Sequence, residues 1–111
     1  MSTIDAATFD ELRSTAGAEF VAELVDTFVE EAPLMIDALR AAKAAGDAVA
    51  FRRTAHSLKS NSVTFGATEL GALARDMELQ GMEVAGTPEH IDQLARAFAE
   101  AATALKGLAN E

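Results

Sequence analysis

The chain has no cysteine, so disulfides, thiolate metal sites and a cysteine nucleophile are excluded, and the composition suits a reducing compartment. Tryptophan and tyrosine are also missing and there are only six phenylalanines, while alanine, leucine and glutamate recur throughout; this balance favours helices over strands. Two prolines and seven glycines punctuate the 111 residues, and Gly17, Gly46, Gly66, Gly86 and Pro88 fall where helix ends would be rather than in a linker. No run approaches the roughly 20 apolar residues of a membrane span. The opening "MSTIDAATFDEL" lacks the basic start and apolar stretch of a secretory signal, so the expected location is the cytoplasm. Positive charge is scarce as well: nine basic residues stand against 18 acidic ones, for a formal net charge of −9. That balance opposes general binding to nucleic acid or to an anionic membrane.

What the chain does have is helical periodicity over a length that fits one domain, expected to span 1–111. The punctuation predicts a short helix at about 7–14, with Asp5 or Thr8 able to cap it, and bundle helices at about 18–45, 48–64, 69–84 and 88–108. Pro33 predicts a kink or a brief break inside the second of these five. Asp47 and Thr68 are the expected caps of the third and fourth, and "GTPEH" gives the last a stop, a cap, a proline at the first helical position and an acidic first turn. Apolar residues step by three and four along the seams: Phe51, Ala55, Leu58, Ser62, Phe65; then Leu70, Leu73, Met77, Gly81, Val84; then Ile91, Leu94, Phe98, Ala101, Leu105, Leu108. The second helix shows an inward set of Phe20, Leu24, Phe28 and Met35, with a further arc of Val21, Val25, Val29 and Ile36 expected to pack largely under the first helix. The expected fold is all-α, an antiparallel four-helix bundle with a short accessory N-terminal helix.

One of the two histidines lies in the stretch "TAHSLKSNSVTFG", inside a local island of residues 47–65 that carries three basic residues (Arg52, Arg53, Lys59) and one acidic one. At about 100° per residue, His56 falls roughly 140° from the centre of its helix's seam, facing water. Arg52 lies four residues before it and Lys59 three after, so both can approach the imidazole, and Ser60 lies one turn on. Val49 and Val63 share this outer face, where an exposed surface has no need of them. The arrangement resembles a docking site for something anionic carried by a partner; a solvated helix face without a role would present the same residues. Metal binding fits poorly, because Asp47 is the nearest carboxylate on the helix and two cations beside a ligand repel a metal ion. A catalytic triad would need a Gly-rich elbow and a pocket that a convex helix face lacks, and "GATELG" has neither the spacing nor the lysine of a phosphate loop. His90, in the first turn of the last helix, reads as a solvated or capping residue, and the four methionines as gap-fillers.

"AHSLKSNSVTFGATEL" resembles the histidine-containing phosphotransfer (HPt) domains of multistep phosphorelays, whose signature is H-x-[LI]-K-G with a second glycine ten residues after the histidine. His56, Leu58, Lys59 and Gly66 match in spacing, and Ala55 and Leu70 fit; Ser60 stands where the family usually has glycine. The resemblance covers nearly the whole chain and implies the same four-helix bundle.

It also implies a mechanism. His56 would accept a phosphoryl group on its outward nitrogen, Nε2, from a receiver-domain aspartate and pass it to another receiver. Lys59 would neutralise the added charge, with Arg52 or Arg53 assisting, and Ser60 would donate a hydrogen bond or simply be small. Gly66 would serve helix termination and close backbone approach, and Val49 and Val63 partner docking. The implied protein is a phosphocarrier rather than an enzyme, with no cofactor or metal of its own, since Mg²⁺ belongs to the receiver. The implied partners are response-regulator receiver domains and, further, a hybrid sensor histidine kinase; neither nucleic acid nor membrane is among them. Single seams and an acidic surface are compatible with a monomer, and a compact chain starting at Met1 favours a free-standing relay protein. Two other readings stay open: a substrate domain phosphorylated directly by an ATP-dependent histidine kinase, and a helical bundle that binds a receiver without being phosphorylated.

Overall fold

A computed structural model describes residues 3–110; residues 1, 2 and 111, the ends of the expected domain span, lie outside them. The described residues form six helices, α1 (Ala6–Ala16), α2 (Ala18–Ala45), α3 (Ala48–Phe65), α4 (Thr68–Gln80), α5 (Met82–Ala85) and α6 (Pro88–Ala109). Packing of α3 against α2 and α4, and of α6 against α2 and α4, closes a four-membered ring, with α1 laid across α2 and α3. This is the expected all-α four-helix bundle with its accessory helix.

The turns follow from their residues. Gly46 ends α2 in the left-handed conformation (φ 70°), and the Asp47 carboxylate then accepts the Ala50 N–H at 3.0 Å to start α3. Thr87 accepts the His90 N–H at 3.3 Å and Pro88 opens α6, as "GTPEH" predicts. Inside the ring, Phe28 of α2 meets the rings of Phe65 on α3 and Phe98 on α6 at centroid distances of 5.2 and 5.9 Å. These three aromatics tie three helices together at edge and tilted angles that such pairs favour. No helix among the described residues is long and apolar enough to cross a membrane.

Four details differ from the sequence reading. The long fourth helix is two: Gly81, at φ 84° and ψ 170°, breaks it and resets the phase, so Met82 and Ala85 turn inward while Val84 is left exposed. Of the inward set expected on α2 only Phe28 is buried: Phe20 is 53% exposed and Leu24 and Met35 are half-buried, whereas Val21 and Val25 are buried where α1 packs over that end of α2, as expected of them. Of the two outcomes expected at Pro33, a kink or a brief break, the break does not occur: α2 runs continuously through it, with Ala32 and Ile36 buried on either side. Ala67 rather than Thr68 is the cap position of α4, and it makes no side-chain cap bond. Asp5 does stand at the cap of α1, where the Thr8 hydroxyl donates to its carboxylate.

Gly66 ends α3 at φ 77°, and its carbonyl accepts the Asp5 N–H at 2.7 Å. A Cβ at Gly66 would meet the Asp5 carbonyl oxygen and the Thr8 Cβ at 3.0 Å each, so both conformation and space call for glycine. Gly66→Ala is expected to cost about 1–3 kcal/mol in thermal or urea unfolding. Gly107→Ala, inside α6 with open space around the added carbon, is expected to stabilise by about 0.5–1 kcal/mol. Equal effects at the two glycines would contradict this account of Gly66.

Candidate functional site

The inward stripe of α3 is the one its periodicity predicts: Phe51, Ala55, Leu58, Ser62 and Phe65 are all buried. Ser62 is the one polar member, and its hydroxyl donates to the Leu58 carbonyl at 2.7 Å, so no donor is stranded in the core. With that stripe fixed, Val49, His56 and Val63, seven residues apart, are left in line on the outer face, and all three are exposed. Lys59 lies on the α4 side of this line, whereas Arg53 lies on the α2 side, where it lines an open groove of about 440 Å³ with Leu34, Met35 and Ala38.

The packing of α4 against α3 adds a residue that no reading of α3 alone supplies. His56 Nδ1 is 2.6 Å from Oε2 of Glu78, and Lys59 Nζ is 2.9 Å from Oε1 of the same carboxylate. The Glu78 side chain is only 18% exposed, against 56% for His56. Oε1 is enclosed and receives no well-aligned hydrogen bond, so the Lys59 ammonium compensates it by charge. That ammonium, followed by His56, holds the Glu78 carboxyl below its ordinary value against the opposing effect of partial burial. An ionised carboxylate can only accept, so the proton of a neutral imidazole is assigned to Nδ1. The lone pair is thereby left on Nε2. The arrangement is a nucleophilic nitrogen on a convex surface, oriented from behind by an anion and flanked by a cation.

The other predicted residues are placed as follows. Arg52 and Arg53 are exposed and form no ion pair among the described residues, and Lys59 turns to Glu78. Ser60 is exposed, with its carbonyl taken by the Thr64 hydroxyl at 3.0 Å. Gly66 sits at the far end of α3 against the chain's own N-terminal segment. His90 is tied to Thr87 through Nδ1 at the cap of α6, away from α3. The signal that could have pointed to Glu78 is its place beside the buried Met77, on the helix that follows α3 and packs along it.

A family model for the Hpt domain matches residues 23–109. The chain belongs to the Hpt family. Among solved structures it is similar to histidine-containing phosphotransfer protein B (HptB) from Pseudomonas aeruginosa PAO1, with a TM-score of 0.87 and 32% identity over 97% of this chain and 95% of that one. A comparison with curated proteins finds no match. Membership of the Hpt family carries a role in histidine phosphotransfer within phosphorelays, together with interaction with receiver domains and kinases. Hpt proteins are phosphocarriers rather than enzymes in the usual sense.

Glu78→Gln tests the assignment of the proton. In the wild-type Hpt domain, ¹⁵N shifts of the neutral His56 ring are expected to report the Nδ1–H tautomer, and the variant is expected to lose that bias. Because folding lowers the Glu78 pKa, its favourable contribution is present above the ordinary value of 4.5 and is lost as pH falls through the lower folded value. Stability of the wild type therefore falls more steeply with acid below that pH than stability of the glutamine variant. Parallel acid profiles would remove the Lys59–Glu78–His56 linkage.

Proposed function

We propose that His56 is the phosphoryl acceptor of a phosphorelay intermediate, receiving the group from an aspartyl phosphate on one receiver domain and passing it to the aspartate of another. The observation that carries this is the bond from His56 Nδ1 to Glu78, which leaves the opposite ring nitrogen free on the exposed side. In the transfer, the Nε2 lone pair attacks phosphorus in line, the N–P bond forms, and the P–O bond to the receiver's carboxylate breaks with its electron pair remaining on that carboxylate. The Nδ1 proton stays where it is. Phosphorylation makes the ring cationic in character, and Glu78 stabilises that charge; Lys59, one turn along α3 and paired with Glu78 at rest, turns to the new phosphoryl oxygens. Attack by the second receiver's aspartate reverses each step.

Arg52 and Arg53, unpaired among the described residues, add positive potential that draws in an acidic receiver face, and Val49 and Val63 supply apolar docking area. Ser60 is small enough to leave the approach to Nε2 open. The chain itself holds no metal in this scheme; Mg²⁺ is carried by the receiver. We further propose that it acts as a monomer in the cytoplasm and binds neither nucleic acid nor membrane.

Incubation with a phosphorylated receiver is expected to place acid-labile, base-stable phosphate on the protein, and His56→Gln to abolish it with the helical circular dichroism unchanged. Equal labelling of the glutamine variant would sink the assignment. Lys59→Ala is expected to slow transfer by roughly ten- to a hundred-fold in a protein that still folds, with a modest fall in melting temperature because Glu78 loses its compensating charge. If the unmodified protein binds receivers yet never labels, it is a receiver-binding bundle instead.

A further inference from the structure

Beside the reactive face, a trough of about 290 Å³ runs between α3 and α4, lined by Lys59, Val63, Gly66, Gly71, Ala72 and Arg75 among others. Its depth comes from small residues. A Cβ added at Gly71 would meet Val63 Cγ2 at an ordinary 3.7 Å, so Val63 leans across the gap that glycine leaves. The His56–Glu78 contact marks the register in which the two helices pack, and Arg75 lies one turn before Glu78 as Lys59 lies one turn after His56. Lys59 and Arg75 therefore form the end of the trough nearest the imidazole. Leu79, four residues beyond Arg75 on the same face of α4, is 65% exposed, and Val63 is 62% exposed.

The charges at that end are unequal. Lys59 is matched by Glu78, whereas Arg75 is exposed and has no ion pair among the described residues of a chain whose net charge is −9. An uncompensated guanidinium between two exposed apolar side chains, at the mouth of a small-residue trough, is complementary to an apolar side chain with a carboxylate beside it.

We propose that this trough is a docking and specificity site for the receiver domain: an apolar side chain of the receiver fills it over Ala72, and a neighbouring receiver carboxylate pairs with Arg75. The inference rests on the reading that His56 exchanges phosphate with receivers. It adds a contact on α4, outside the outer face of α3, and makes Arg75 the residue that discriminates between receivers that carry the carboxylate and those that do not.

The test measures binding without chemistry. His56→Gln protein is titrated with each unphosphorylated receiver domain encoded in the same genome, alone and with Arg75→Glu or Ala72→Phe added; circular dichroism melting checks that each variant folds. For the receiver bound best, Arg75→Glu and Ala72→Phe are each expected to raise Kd about ten-fold or more, and a charge-reversed receiver in which the facing carboxylate is changed to lysine is expected to recover binding to Arg75→Glu. An unchanged Kd for both folded variants overturns the proposal. The underlying reading is probed separately with phosphoramidate, a small donor that needs no docking. Failure of phosphoramidate to label the wild type at His56 would overturn the phosphoacceptor assignment, while the Kd comparison still decides the trough.

Discussion

Phe51, Ala55, Leu58, Ser62 and Phe65 leave α3 no rotational choice, and the outer face of the molecule is a consequence of that constraint. Turning the helix by one residue, about 100°, would expose Phe51 and Phe65 and bury either Arg52, His56 and Lys59 or, in the other direction, the polar set Thr54, Ser57 and Asn61, at a cost of several kcal/mol in lost apolar burial alone. Ala55 and Ser62 matter for a second reason. They are small and fully buried, so neighbouring helices approach α3 closely, and α4 comes near enough for Glu78 to reach across to His56. Ser62 adds no polar debt to this seam because it returns its hydroxyl proton to its own helix.

From that contact follows the electrostatic character of the site. A single carboxylate faces both the imidazole and the Lys59 ammonium, and because its side chain is mostly covered, these interactions are screened less than those of the exposed pairs Arg13–Asp10 and Arg40–Asp92. A phosphoryl group adds roughly 1.5 to 2 negative charges at neutral pH. Its arrival redistributes the partners: Lys59 faces two competing anions, while Glu78 faces a ring that has gained positive character. The same three side chains can thus serve the resting and the phosphorylated forms, and a stronger permanent hold on Lys59 would oppose its move to the phosphate.

The α3 face was legible because it depends only on helix phase and on punctuation at Gly46, Asp47 and Gly66, all local in sequence. What was not legible is tertiary. Glu78 reaches His56 through the relative position of two helices, which no spacing within α3 encodes. Phe20 and Val21 are both good core residues by composition, and the choice between them is made by where α1 lies. Gly81 fits a seam by spacing yet takes a positive φ, so the apolar step from Met77 to Val84 continued a pattern that the backbone interrupts. In each case a local pattern offered two solutions and a packed neighbour selected one.

The two glycine positions of the family signature are physically unlike, and this chain separates them. At Gly66 the backbone is left-handed and the space above Cα is taken by the Asp5 carbonyl and the Thr8 side chain, so the requirement is conformational and internal to the fold. At Ser60 the backbone is ordinary helix; positive φ among the described residues occurs only at Gly17, Gly46, Gly66 and Gly81. Nothing within the chain therefore asks for glycine there, and helix propensity mildly favours serine. Whatever a glycine at that position supplies must lie outside the chain, in the room left for a partner beside Nε2. Serine gives up part of that room and offers an exposed hydroxyl in return, which makes position 60 a matter of docking rather than of folding.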